Sequence, residues 1–241
     1  MPHPSQRSLR LPYSRTESIA ALAAADPRLG RLIARVGPFT MRLASQQSPF
    51  QALTEAIVYQ QLHGKAAATI HARLLDSFAD LCGRHPDGTS LHFSPQHILD
   101  CPNQQLRAAG LSANKALALR DLAAKTLDGT VPSMLTIKKM SDDAIIDHLT
   151  QVRGIGTWTV QMMLLFRLGR PNVLPTSDYG IRKGFALTFQ GLKPSAKVTP
   201  ADLPKPDLIE RRARKWQPFC SVASWYLWRA CDLASQDKTP A

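Results

Sequence analysis

Apolar positions along this chain recur at three- and four-residue spacing, and no segment alternates strongly with a period of two, so the pattern predicts helices throughout. Residues 17–36 carry Ile19, Leu22, Leu29, Leu32 and Ile33, which predicts two short helices broken near Asp26 and Pro27. Ser48 and Gln51 form an S-x-x-Q capping box with Pro49 at the first helical position. The helix they start continues through Leu53, Ile57 and Val58 to Gln61. Residues 103–109 and 112–127 read as helices, the second capped by Ser112 and closed at Asp128 and Gly129. Ser141 caps a short helix with Ile145, Ile146 and Leu149 on one face and Asp142 and Asp143 in the favourable first turn, and that helix stops at Gly154. Thr157 starts a second apolar helix containing Val160, Met163, Leu164 and Leu168. A Pro-rich connector, 194–206, precedes a basic helical segment, 208–214. The last helix begins at Pro218 and buries Phe219, Val222, Ala223, Tyr226, Leu227 and Ala230. The fold class is all-α.

Composition narrows the class of partner. A chain of 241 residues can bury one large core or two small ones. Its net charge is +12, and residues 138–215 hold 14 Lys and Arg against 7 Asp and Glu, so a polyanion is the expected partner. No apolar run approaches the ~20 residues that a membrane crossing requires. Residues 1–15 are polar, basic and Pro-broken, a flexible basic leader rather than a signal peptide, which predicts an intracellular protein. Cys82, Cys101, Cys220 and Cys231 form no CxxC pair, so packing is their expected role rather than zinc or an iron–sulfur cluster. His85, His92 and His97 lie in a loop-like stretch without metal-ligand spacing. Lys115 and Arg120 read as phosphate contacts or as plain surface, and Trp216, Trp225 and Trp228 as packing residues.

Three stretches carry candidate chemistry. Gly154 and Gly156 flank Ile155, and two glycines permit positive φ while leaving backbone amides open to an anion. The start of the Thr157 helix adds unpaired N–H groups and a positive dipole end, so the turn suits one phosphate. A short glycine turn between helices also serves simply to pack them. Asp178 lies about twenty residues beyond, preceded by Leu174, Pro175, Thr176 and Ser177; by itself, an aspartate at a helix start is an N-cap. Within 55–70, Gln60, Gln61, Leu62, His63, Gly64 and Lys65 interrupt two helical stretches and by composition make an ordinary polar turn.

Taken together, the hairpin LxxVxGIG, the Pro-containing loop ending at Asp178, the paired-glutamine turn and the terminal W-x-P…W helix make residues 43–234 resemble DNA-3-methyladenine glycosylase II of the helix-hairpin-helix DNA glycosylase superfamily. The resemblance is to the compact form without an N-terminal mixed α/β domain. It implies two helical subdomains with the active-site cleft between them, a core over 16–235, a helix-hairpin-helix over 141–169, a catalytic loop and helix over 170–189, and a tail over 236–241. Asp178 would be catalytic, Trp158, Tyr179, Trp228 and Met162 would line the base pocket, and Gln61 with Leu62 would form the wedge that fills the duplex. Gly154, Gly156, Thr157, Thr159, His63 and Lys65 would hold phosphates. The carbonyls of Thr150, Val152 and Ile155 would hold a monovalent cation, and no cofactor is implied. Relatives that also nick the strand carry a lysine where this chain has Trp158, so the resemblance implies a monofunctional enzyme. The implied partner is double-stranded DNA containing alkylated bases, met by a monomer without an obligate protein partner in a bacterial cytoplasm or a eukaryotic nucleus. Ser177, Tyr59 and Met162 depart from residues common in the family, which bears on lesion range. A DNA-damage-binding protein without catalysis, and a glycosylase for oxidised or deaminated bases, are the alternatives.

Overall fold

The computed structural model describes residues 10–44, 48–83 and 92–236. His85, most of the expected leader and the tail beyond Gln236 lie outside them. Among the described residues the regular elements are all helical. In chain order the α-helices are α1 (Arg15–Ala25), α2 (Pro27–Val36), α3 (Pro49–Tyr59), α4 (Gly64–Asp76), α5 (Ala79–Cys82), α6 (Pro95–Asp100) and α7 (Asn103–Ala108). They continue as α8 (Ala113–Leu127), α9 (Met134–Ile137), α10 (Asp142–Leu149), α11 (Thr157–Phe166), α12 (Tyr179–Phe189), α13 (Pro206–Ala213) and α14 (Cys220–Gln236). None is long and apolar enough to cross a membrane.

Local signals set many of these boundaries. Asp26 closes α1 and caps α2, its carboxylate accepting from the Arg28 N–H while Pro27 occupies the first helical position. The Ser48 and Gln51 capping box forms at α3, and Ser112, Ser133 and Ser141 each accept an orphan N–H at the start of α8, α9 and α10. Two helices end earlier than the apolar pattern predicts. Helix α10 stops at Leu149, and a turn over 150–154 follows, in which the Val152 N–H bonds to the Leu149 carbonyl. Helix α11 stops at Phe166, because Gly169 takes φ 64° and the Arg170 N–H folds back to the Leu164 carbonyl, so Leu168 lies in the turn.

The chain divides into two compact units, 1–45 with 161–241, and 46–160. In the first, α14 packs on α12 and α2. Its Val222, Ala223, Trp225, Tyr226 and Leu227 are buried, and so are Ser221 and Ser224, so the helix is enclosed on more than the one face the pattern predicts. Phe39, Phe185, Phe189, Ile209 and Trp216 complete this core, with Leu11 and Tyr13 packed against it. A buried carboxylate crosses the core: Asp26 receives Arg212 at 2.8 Å, Trp216 Nε1 at 3.0 Å and Lys215 at 3.2 Å. Burial alone would raise its pKa, but these bonds outweigh burial and bring the carboxyl down to about 2.

In the second unit, α8 packs against α3, α6 and α7, around Leu53, Ile57, Leu106, Leu119 and Leu122. Arg120 is not a surface phosphate contact, since its guanidinium donates to the Ile98, Leu99 and Cys101 carbonyls at the end of α6. His97 is likewise not a loop residue. It sits in the first turn of α6, where its Nδ1 closes a capping box with Ser94 and lies 3.3 Å from Cys82 Sγ.

Candidate active site and nucleic-acid interface

Asp178 occupies the N-cap of α12, so the simplest sequence reading of it holds structurally: Oδ1 accepts the Ile181 N–H at 2.8 Å. The same Oδ1 also accepts the indole N–H of Trp228, again at 2.8 Å. Two N–H donors, one from main chain and one from α14, therefore fix the carboxylate. Its surroundings require small residues. A Cβ at Gly180 would stand 2.7 Å from Trp228 Cδ1 and 3.1 Å from Asp178 Oδ1, and one at Gly184 would overlap the Leu227 carbonyl oxygen at 2.0 Å. These two glycines, one helical turn apart, let the α12 backbone approach α14 closely enough for the indole to reach the acid.

The loop before Asp178 is tied to the same helix. The Ser221 hydroxyl donates to the Arg170 carbonyl and accepts the Val173 N–H, and Ser224 Oγ donates to the Val173 carbonyl. Ser221 and Ser224 are positioning residues that the sequence reading missed. Their signal was two small polar side chains three apart inside an apolar helix, a pattern that in a buried setting demands backbone partners. On the outer side, Thr176 donates to Glu210 at 3.0 Å.

Around the acid stand aromatic residues of different exposure. Tyr179 is 43% exposed, its hydroxyl donating to the Val198 carbonyl and its ring lying 5.9 Å from the Lys183 ammonium. Trp228 is half-buried and tilted against Phe166 at 5.8 Å, and its N–H is directed at the acid. Met162 is half-buried on α11. Arg182 turns inward, donating to the Pro200, Leu203 and Pro204 carbonyls and so holding the connector against α12.

In the other unit, the hairpin adopts the left-handed conformation at Gly154 alone, with φ 79°; Gly156, which the sequence also permits there, is outside that region. Gly156 instead takes the N-cap place of α11, since its carbonyl accepts the Val160 N–H. Having no side chain, it cannot cap the first-turn amides itself, and a Cβ there would meet nothing within 4 Å. The N-terminus of α11 is thus sterically open beside exposed Thr157 and half-buried Thr159. Trp158, on the same first turn, is 47% exposed.

The loop carbonyls divide between two uses. Gln151 O accepts Lys125 Nζ, and Gly154 O accepts the Gln60 side-chain amide at 2.8 Å. Val152 O, one of the three carbonyls expected to hold a cation, accepts the Ile155 N–H at 3.0 Å.

The paired glutamines part company. Gln60 ends α3 and reaches back to the hairpin, whereas Gln61 takes φ 57°, the one left-handed non-glycine among the described residues, and is exposed with Leu62. His63 and Lys65 are exposed at the start of α4, and His63 makes no side-chain cap. Lys115 is not a phosphate contact: its ammonium donates to the Val58 and Gln60 carbonyls at 2.7 and 2.8 Å, and burial lowers its pKa.

Residues 54–213 match the family model described as HhH-GPD superfamily base excision DNA repair protein. DNA-3-methyladenine glycosylase 1 of Schizosaccharomyces pombe is 31% identical over 226 residues, covering 93% of this chain and 91% of that protein. The solved structure of the S. pombe 3-methyladenine DNA glycosylase in complex with abasic DNA superposes with a TM-score of 0.71 at 30% identity, over 93% of this chain and all of that one. A DNA-3-methyladenine glycosidase from Bacillus halodurans gives a TM-score of 0.77 at 26% identity, over 95% of both chains.

Proposed function

The chain belongs to the HhH-GPD superfamily of base excision DNA repair proteins, and we propose that it is a monofunctional DNA glycosylase that hydrolyses the N-glycosidic bond of alkylated purines such as 3-methyladenine in duplex DNA. The observation that carries this reading is the Asp178 carboxylate, held on one oxygen by both the Ile181 and Trp228 N–H groups. A helix cap alone needs only the first of these.

The chemistry follows from the substrate. A base stacked in duplex DNA hides its glycosidic bond, so it must first swing out, at an unstacking cost of a few kcal/mol that is smallest for a damaged pair. Gln61 and Leu62 fill the gap. The open amides at Gly154, Gly156 and Thr157 take a backbone phosphate, with Thr159, His63 and Lys65 as further phosphate contacts. The Thr150, Val152 and Ile155 carbonyls hold a monovalent cation, which adds positive charge next to that phosphate. N-alkylated purines carry positive charge, which makes them good leaving groups and attracts the ring faces of Trp158, Tyr179 and Trp228 by ~0.5–2 kcal/mol per contact. Met162 adds a polarizable surface.

As the bond between C1′ and the base nitrogen breaks, the electron pair leaves with the base and C1′ becomes oxocarbenium-like. The Asp178 carboxylate stabilises that charge and orients the attacking water, whose proton it accepts, and an abasic site remains. Trp158 has no amine to form a Schiff base, so the strand stays intact. The enzyme acts as a monomer where its DNA lies, in a bacterial cytoplasm or a eukaryotic nucleus.

Incubation with duplex DNA treated with a methylating agent, followed by chromatography of the free bases, tests this. Wild type should release 3-methyladenine and Asp178→Asn, which keeps the cap oxygen, should not. A folded wild type that binds this DNA and releases no base would be a damage-binding protein instead.

A further inference from the structure

Helix α8 underlies both DNA-facing turns of the 46–160 unit. Lys115 reaches the Val58 and Gln60 carbonyls at the end of α3. One turn on, Ala118 lies where a side chain at Gly154 would touch it, at 3.7 Å. Further along, Asp121 accepts the Arg153 N–H at 2.7 Å and pairs with Lys125, whose ammonium also holds the Gln151 carbonyl. These positions share a helical face about a third of a turn wide. The Gln60 amide then closes the circuit from the wedge turn to the Gly154 carbonyl.

We infer that Gln60 and Lys115 are positioning residues that join the wedge turn and the phosphate-binding hairpin into one rigid unit, so that gripping the backbone places Gln61 and Leu62 at the base step to be opened. The inference rests on the reading of those two residues as the wedge and of the hairpin as the phosphate grip. Physically, Lys115 neutralises carbonyls that helix α3 leaves unpaired, immediately beneath the residue with left-handed backbone. Gln60 sets the distance between that residue and the hairpin. Neither side chain needs to touch DNA. The pair of glutamines thus separates into a strut and a wedge.

Because the coupled step is base extrusion, the effect must depend on how firmly the lesion is stacked. The test compares single-turnover excision of 3-methyladenine or 7-methylguanine from a fully paired duplex with excision from the same sequence carrying a three-base bubble. The variants are Gln60→Ala, Lys115→Met and, as reference, Gln61→Ala with Leu62→Ala. Gln60→Ala should slow excision about tenfold or more in the paired duplex and less than threefold in the bubble, with affinity for undamaged duplex changed less than twofold. Lys115→Met should do the same, and Lys115→Arg, which keeps the donors, should recover most of the duplex rate. Equal losses on both substrates, or no loss on either, would overturn the coupling. If the doubly substituted wedge variant itself lost nothing selectively on the paired duplex, the wedge assignment would fall, separately from the role of Gln60. Fluorescence of 2-aminopurine placed next to the lesion reports extrusion directly, and it should rise more slowly in Gln60→Ala.

Discussion

Trp228→Phe separates two properties of one side chain, its aromatic face and its N–H. The phenyl ring keeps a surface for packing on Phe166, and the substitution removes the donor to Asp178 Oδ1 at 2.8 Å together with the volume of the five-membered ring. A hydrogen bond to a charged group contributes about 1.5–3 kcal/mol. The Ile181 N–H would still hold the carboxylate from the backbone side, so the acid remains in place as a cap but loses the side-chain donor from α14. If the indole bond serves to aim the carboxylate at C1′, its loss appears in the transition state, and at about 1.4 kcal/mol per decade the excision rate falls roughly 10- to 100-fold. Single-turnover excision of 3-methyladenine with enzyme in excess measures this, with affinity for abasic-site duplex measured alongside and expected within twofold. Gly180→Ala perturbs the same contact from the opposite side, because the new methyl would lie 2.7 Å from Trp228 Cδ1 and 3.0 Å from Nε1, and it should slow excision too. A Trp228→Phe rate within threefold of wild type would refute the aiming role and return Trp228 to a stacking surface alone.

Other outcomes are equally direct. Gln61→Gly relieves a left-handed backbone that costs about 1 kcal/mol in a residue with a side chain, an effect that glycine's extra freedom in the unfolded chain largely offsets. Urea denaturation should therefore show stability within about 1 kcal/mol of wild type, with excision from duplex strongly reduced; a clear loss of stability would make Gln61 a structural residue. Asp26 has a folded pKa below its unfolded value, so its contribution is present above about pH 4 and disappears as pH falls through about 2. Asp26→Asn should lower stability by about 2 kcal/mol at pH 7, with the gap to wild type closing below pH 4; a gap that is constant across that window would contradict the ion-pair account. Borohydride added during turnover should trap no covalent protein–DNA complex, and a trapped complex would show a lyase step and refute the monofunctional reading.

What could be read from the chain and what could not divides by sequence distance. The caps at Ser48, Ser112 and Ser141 and the helix break at Asp26 and Pro27 are signals spanning two to four residues, and each formed where the sequence placed it. The hairpin and the helix start at Asp178 were equally local. Lys115 and Arg120 were misread because their partners lie far along the chain: Lys115 bonds to carbonyls 55 and 57 positions away. Gln60 meets Gly154 across 94 positions, and nothing in the run of glutamines distinguishes the one that turns inward. The Trp228 bond to Asp178 spans 50 positions and depends on the two glycines of α12, whose spacing was visible but whose use was not. Gly156 shows the limit from the other side, since its identity was informative and its conformation was not.

The close seating of α12 on α14 has a consequence for how such an enzyme can change. Gly184 against the Leu227 carbonyl, and Ser221 and Ser224 against the preceding loop, fix the site of the acid largely through main-chain contacts inside a core. Trp158 and Tyr179, by contrast, are nearly half exposed. Substitutions at those two positions can therefore accumulate at little cost to folding while the reactive group stays registered. On the proposed assignment of those residues, drift toward new lesions is open to this scaffold, whereas drift toward a new reaction would disturb its interior.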